Sequence, residues 1–229
     1  MDHHIETHFT PPKVVRDMVI GIADGLTVPF ALAAGLSGAL DSNAIVIVAS
    51  LAEIAAGTIS MGLGGYLAAK SEVEHYKKEE AREHREVKEM PETEVAEVKG
   101  IFRSYGLKDA ESDMVANALR ERPQNWVDFM MRFELGLERP RARDARRSAL
   151  TIGLSYALGG IIPLSPYFFI LHTRSALLVS AIVTLSALFV FGYIKGIYVS
   201  ERPLKSALQT TIVGGLAAAV AFTVATMIA

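Results

Sequence analysis

Two stretches decide the fold: Asp24-Gly-Leu-Thr-Val-Pro-Phe-Ala-Leu-Ala-Ala-Gly-Leu36 and Glu53-Ile-Ala-Ala-Gly-Thr-Ile-Ser-Met61-Gly-Leu-Gly-Gly65. They sit in largely apolar runs, residues 14–40 and 44–70, each long enough to cross a bilayer, which takes about 20 residues of helix. A charged group at bilayer depth costs at least about 2.5 kcal/mol, so an acidic residue there faces a bundle interior or a wet path. Asp24 and Glu53 are therefore candidates for a transport path. Met61 sets a soft thioether beside two hard carboxylates, which suits a divalent transition metal.

Working outward, residues 148–171, 175–200 and 204–229 are three further apolar runs of spanning length. The links 41–43, 172–174 and 201–203 are short, and only residues 71–147 form a domain-sized connection. That connection holds 16 Lys+Arg and 18 Asp+Glu, against 7 and 7 in the other 152 residues. It is aqueous and the flanks are not, so the near-neutral total averages two unlike regions. The expected fold is an all-α membrane protein with five transmembrane helices and a helical insert between the second and third. Its parts are residues 1–70 (N-terminal segment and helices one and two), 71–147 (insert) and 148–229 (helices three to five). Cysteine is absent, which excludes disulfides and thiolate metal sites. Residues 1–12 carry His3, His4 and His8 but no apolar core behind a basic start, so no cleaved signal peptide is expected.

Lys13, Arg16, the insert, Lys195, Arg202 and Lys205 place basic charge on one side, and Arg174 is the lone basic residue of the other. The positive-inside rule then puts the N-terminus and the insert in the cytosol and the C-terminus across the membrane. The basic run 139–147 suits the cytosolic surface and anionic lipid. At about 1.5 Å per residue, Asp24 lies roughly 16 Å from Lys13 and Met61 roughly 13 Å from Lys70 on the antiparallel neighbour. Both reach one level near the midplane. Glu53, roughly 25 Å from Lys70, lies nearer the far mouth. Pro29 removes an intrahelical donor and suggests a kink, and Gly21, Gly25, Gly57, Gly62, Gly64 and Gly65 permit close helix approach. The bland reading pairs a carboxylate with a base such as Lys195, and leaves Met61 as packing.

In the insert, a helix continuing past Lys70 would align Glu72, Tyr76, Glu79, Glu83, Glu86 and Met90 on one stripe. Pro91 stops it and opens another carrying Glu94, Glu97 and Ile101, which Gly106 ends. Asp109 is expected to cap a third helix, and Asn125 with Asp128 to cap a fourth, on which Met130, Met131 and Glu134 adjoin. Trp126, Phe129 and Phe133 are the expected core. Carboxylates from facing helices can converge on metal ions, so Glu83, Glu86, Glu94, Glu97 and Glu134 with Met130 and Met131 form a candidate cluster. The competing reading is solvated surface, with Lys77, Arg82, Arg85 and Lys88 interleaved to neutralise it. His75 and His84 are ordinarily surface histidines.

With the two opening stretches, the runs Gly159-Gly-Ile-Ile-Pro-Leu-Ser-Pro-Tyr167 and Gly192-Tyr-Ile-Lys-Gly196 resemble the vacuolar iron transporter family of plants and fungi. The presence of the insert resembles the full-length members rather than the shorter nodulin-like ones. The resemblance implies a homodimer in the vacuolar membrane that exchanges cytosolic Fe2+ for lumenal protons, with a lumenal C-terminus. It implies transport residues at Asp24, Glu53 and Met61, and metal ligands at Glu83, Glu86, Glu94, Glu97, Met130, Met131 and Glu134.

The expected function is proton-coupled Fe2+ antiport by a non-enzyme, without a prosthetic group or nucleic-acid partner. Mn2+, Co2+ and Zn2+ fit overlapping donor sets, so a Mn2+-preferring transporter is an alternative. A membrane-anchored metal sensor or buffer would use the insert alone. A di-iron enzyme would want His ligands close to its Glu pairs, and the insert offers only His75 and His84; a channel would show no proton dependence.

Overall fold

The computed structural model describes residues 13–141, 143–199 and 202–229; His3, His4, His8 and Glu201 lie outside the described residues. The described residues form eight helices and no strand: α1 (Lys13–Ala39), α2 (Asn43–Glu89), α3 (Pro91–Ser104), α4 (Asp109–Arg120), α5 (Pro123–Phe133), α6 (Asp144–Phe169), α7 (Thr173–Val199) and α8 (Pro203–Ile228). Five of them, α1, α2, α6, α7 and α8, are long and apolar enough to cross a membrane. The chain divides into two compact units. One comprises α1, α2 as far as Leu67, and the chain from Ala145 onward; the other is Ala68–Asp144.

In the membrane-helix unit the polarity of a soluble fold is reversed. Ile59, Leu63, Leu154, Leu158, Leu178, Ile182, Leu216 and Val220 are all exposed, as helices surrounded by hydrocarbon allow. Small and hydroxyl residues let the helices approach, around buried clusters that include Val46, Ile54, Leu164 and Tyr167. Thr58, Thr210, Thr211 and Thr223 donate to the carbonyl four residues back, so their hydroxyls need no water. Pro166 cannot donate to the Ile162 carbonyl, and Ser165 Oγ bonds that oxygen at 2.8 Å. α1 continues through Pro29 as one helix. The α1–α2 turn is tied down by Asn43, whose Nδ2 donates to Ile170 O at 2.5 Å and Leu171 O at 3.3 Å at the end of α6.

Helices approach closely at Tyr156 of α6. A Cβ on Gly25 would run into the Tyr156 backbone, and one on Gly57 into its ring, 2.5 Å from Cζ. Gly25 thus lets α1 meet the α6 backbone, and Gly57 gives the Tyr156 ring its place against α2.

The second unit builds its own core. Val95, Val98, Ala116, Trp126 and Met130 form one buried cluster, and Tyr76, Val127 and Met131 another. Phe129 packs beside the first of these, and Phe133 stacks on it at 4.9 Å. Phe133 is nevertheless half exposed, because it ends α5 where the apolar face runs out. Two expected caps differ. Asp109 lies inside α4 and accepts from Arg103 Nε at 2.7 Å, while Glu111 reaches back to the Lys108 N–H at 2.7 Å. Pro123 both ends the preceding turn and opens α5, so Asn125 is already helical; proline's fixed φ suits the first helical position.

Gly25→Ala is expected to destabilise the membrane unit by about 1–3 kcal/mol or more through overpacking. Gly64→Ala, with nothing within 4 Å of the added carbon, is expected to be neutral. Thermal unfolding of the detergent-purified variants by size-exclusion recovery compares the two.

Candidate functional site

One of the two membrane-spanning carboxylates is held by Tyr156, whose hydroxyl donates to Glu53 Oε1; Asp24 precedes Gly25, which abuts the Tyr156 backbone. Tyr156 is buried, whereas Glu53 Oε2 is enclosed without a hydrogen-bond partner. Among the described residues no basic residue is ion-paired to Glu53 or to Asp24. Lys195, the base the sequence offered as a counter-ion, bonds Thr210 Oγ1 at 3.4 Å instead. Met61 is half-buried on α2, eight residues from Glu53 and one turn from Gly57.

Tyr156 is the residue the sequence reading missed. A tyrosine in an apolar span is usually an interfacial or packing residue. The available signal was the pair of glycines, each one residue or one turn from an acid.

Asp24 itself is exposed on the single chain, in line with the exposed Ile20 and Val28 on one face of α1. That face is apolar above and below a carboxylate.

In the second unit, three helices bring carboxylates together. Glu83 projects from α2, Glu94 from the first turn of α3 just after Pro91, and Glu134 caps the C-terminus of α5. One oxygen of each lies within 4.8 Å of the others. Glu83 and Glu94 are almost fully buried, at 1% and 3% exposure, which the solvated-surface reading does not accommodate. Each also has one oxygen enclosed without a hydrogen-bond partner. Glu97 and Glu86 act on this group as neighbouring charges. Met130 and Met131 are buried in the two apolar clusters of the unit, directly before Glu134. Arg82 is ion-paired to Glu79 at 2.9 Å, Glu83 at 3.4 Å and Glu86 at 3.3 Å.

Glu94 is pushed up to about 7, first by burial and then by the negative charges of Glu97, Glu83, Glu134 and Glu86. Glu134 also rises to about 7. Protein atoms crowd its carboxyl although the residue reaches solvent, and Glu97 and Glu83 add repulsion that Arg82 partly offsets. Enclosed, mutually repelling carboxylates suit a multivalent cation, which neutralises several at once.

Comparison with known proteins gives the same direction across the chain. A model of the VIT family matches residues 15–226. Vacuolar iron transporter 1 of Arabidopsis thaliana is 56% identical over 228 residues, covering 100% of this chain and 91% of that protein. Vacuolar iron transporter 1 of Oryza sativa is 57% identical over 220 residues, covering 96% and 87%. The vacuolar iron transporter cccA of Arthroderma benhamiae is 39% identical over 215 residues, covering 90% and 77%.

Carboxyls that titrate near 7 when folded and near 4.5 otherwise bind more protons in the folded state across that window, so stability falls as pH rises through it. The chain's one tryptophan, Trp126, lies in the core of the second unit, and its fluorescence reports that unit inside the intact protein. In chelator the Trp126 melting temperature is expected to be lower at pH 8 than at pH 5. Added Co2+ should restore it at pH 8 but not at pH 5. A melting temperature that is flat with pH and blind to Co2+ would remove the cluster from consideration.

Proposed function

This chain belongs to the VIT family, and from that membership we propose that it carries Fe2+ from the cytosol into the vacuole in exchange for protons. The observation that carries the reading is a pair of acids on membrane-spanning helices, Glu53 held by the Tyr156 hydroxyl and Asp24 on α1, without a basic ion-pair partner among the described residues. Uncompensated acids at that depth fit a cation path better than a structural ion pair.

In this reading Asp24 and Met61 hold a partly dehydrated Fe2+ ion, the carboxylate supplying charge and the thioether a soft donor. Glu53, toward the lumenal mouth, takes up a proton as the ion leaves. A carboxylate must be deprotonated to serve as a ligand, so protons from an acidic lumen and the metal compete for the same oxygens. That competition couples the two flows. Tyr156 fixes the Glu53 carboxylate through Oε1 and leaves Oε2 for the proton. The cytosolic insert holds further Fe2+ on Glu83, Glu94 and Glu134, with Glu86 and Glu97 adding charge and Met130 and Met131 backing the ligands.

The exposed position of Asp24 supports a homodimer. Facing lipid, this carboxylate would cost at least about 2.5 kcal/mol, whereas a second copy packed on the Ile20–Asp24–Val28 face would enclose it and give two Asp24 side chains a shared path.

Uptake of Fe2+ into proteoliposomes with an acidic interior tests the exchange. Wild-type uptake is expected to collapse when the pH gradient is dissipated. Asp24→Ala should abolish uptake, Met61→Ala should weaken it more for Fe2+ than for Mn2+, and Glu53→Gln should flatten its dependence on internal pH. Wild-type rates from a correctly inserted Asp24→Ala protein would sink the path.

The natural absence of cysteine makes the dimer testable by cross-linking. Val28→Cys in membranes is expected to give a disulfide-linked dimer on mild oxidation, and Val190→Cys, exposed on α7, to stay monomeric. Cross-linking of both or neither would contradict the α1 interface.

A further inference from the structure

Arg82 is placed differently from every other basic residue of the second unit. Lys99 pairs with Asp113, Arg103 with Asp109, Arg120 with Glu92, and Arg139 with Glu80. None of those acids belongs to the buried cluster. Among the described residues Arg82 alone is ion-paired to the cluster's acids, and it reaches two of them, Glu83 Oε1 at 3.4 Å and Glu86 Oε2 at 3.3 Å. Its third partner, Glu79 at 2.9 Å, stands one turn before Glu83 and outside the converging group. The bond to Glu79 is the short one and those to the cluster are long. Arg82 Nε is enclosed without a hydrogen-bond partner in good geometry.

The consequence for the shared oxygens is direct. Glu83 Oε1 accepts from Arg82 and Oε2 is enclosed and unbonded, while one oxygen of Glu83 lies within 4.8 Å of Glu94 and Glu134. A divalent ion that takes Glu83 through both oxygens, or Glu83 together with Glu86, must take oxygens the guanidinium now holds. Guanidinium bonds to carboxylates are strong when bidentate and well aligned. Here they are single and stretched, with an alternative seat on Glu79 three residues back on the same helix face. The arrangement is a cation held where it can leave.

We propose that Arg82 is the resident counter-cation of the carboxylate cluster, displaced toward Glu79 by an incoming divalent metal ion, and that it thereby sets the metal concentration at which the cluster fills. The inference rests on the reading of Glu83, Glu86, Glu94, Glu97 and Glu134 as a metal site. It assigns that site a built-in competitor: at low metal the guanidinium holds the carboxylates, and above a threshold the divalent ion, with twice the charge, replaces it. The charge change on filling is then smaller than for a bare acidic cluster, and the helices stay packed in both conditions.

Titration of the full-length protein in detergent with Co2+ by calorimetry, at fixed pH and ionic strength, tests this. Arg82→Gln is expected to bind Co2+ about tenfold more tightly, the order expected on removing a unit charge within a few ångströms of the ligands. Arg82→Lys keeps the charge but loses the planar fork, and is expected to fall between the wild type and Arg82→Gln. Trp126 melting checks that each variant is folded. Arg82→Gln binding as weakly as the wild type, or more weakly, would make Arg82 a structural clamp and overturn the proposal. Arg82→Lys matching the wild type would also overturn displacement, leaving only long-range charge. Where Arg82→Gln does not fold, the lysine variant decides alone. The combined change of Glu83, Glu86, Glu94, Glu97 and Glu134 to Ala separates this inference from the reading beneath it. Undiminished Co2+ binding there removes the metal site itself. Lost binding there, with unaltered affinity in the Arg82 variants, removes only the role of Arg82.

Discussion

A carboxylate enclosed by protein or lipid must be neutralised by something, and this protein encloses several without supplying enough bases. In the membrane-helix unit Glu53 has a phenol and Asp24 has no ion pair among the described residues. In the second unit Glu83 and Glu94 are closed from water, each with an oxygen that no hydrogen bond satisfies. Leaving such groups ionised and uncompensated costs several kcal/mol. Protons, the Arg82 guanidinium and divalent metal are the three cations that fit the places described, and the proposed readings are a competition among them.

The two places distribute that cost differently. In the second unit the acids repel one another, and two of them rise to about 7, so those two take up protons well before the ordinary carboxylate range is reached. In the membrane the acids are on separate helices, and a neutral phenol holds one of them, Glu53. A phenol neutralises nothing, but it fixes a carboxylate oxygen without occupying the path with a permanent cation. A lysine at position 156 would hold Glu53 more strongly and would repel every ion that followed. The glycine at 57 then has a chemical as well as a steric reason: without its small volume the tyrosine ring has no place against α2, while Gly25 admits the Tyr156 backbone to α1.

Much of this was legible from residue order because bilayer length, charge asymmetry and proline punctuation are strong local signals. The five spans, the continuation of α2 past Lys70 to Glu89 and the restart at Pro91 follow from such rules. The caps at Asp109 and Asn125 were misjudged because each competes with a neighbour. Lys108 caps α4, with Glu111 inside the helix reaching back to its N–H, and Pro123 takes the first helical position of α5. Tyr156 stayed hidden because its importance depends on which glycines from other helices stand opposite it, which is a property of packing and not of the sixth helix. For Glu83, sequence could not separate surface from interior: its neighbours in the chain, Arg82, His84 and Arg85, are polar, and only the approach of α3 and α5 encloses it.

Arg82 shows why charge alternation along a helix is an ambiguous signal. Read as a pattern, an arginine three residues after one glutamate and four before another is ordinary i,i+3 and i,i+4 support for a solvated helix. On a fully exposed helix such pairs contribute a few tenths of a kcal/mol and nothing depends on them. Once one of the acids is buried, the same arginine becomes the cation that makes the burial tolerable, and whatever replaces it must carry at least its charge. The identity of the partner is unchanged and its role is not. The sequence states the spacing, but burial decides whether that spacing is decoration or a competitor for metal.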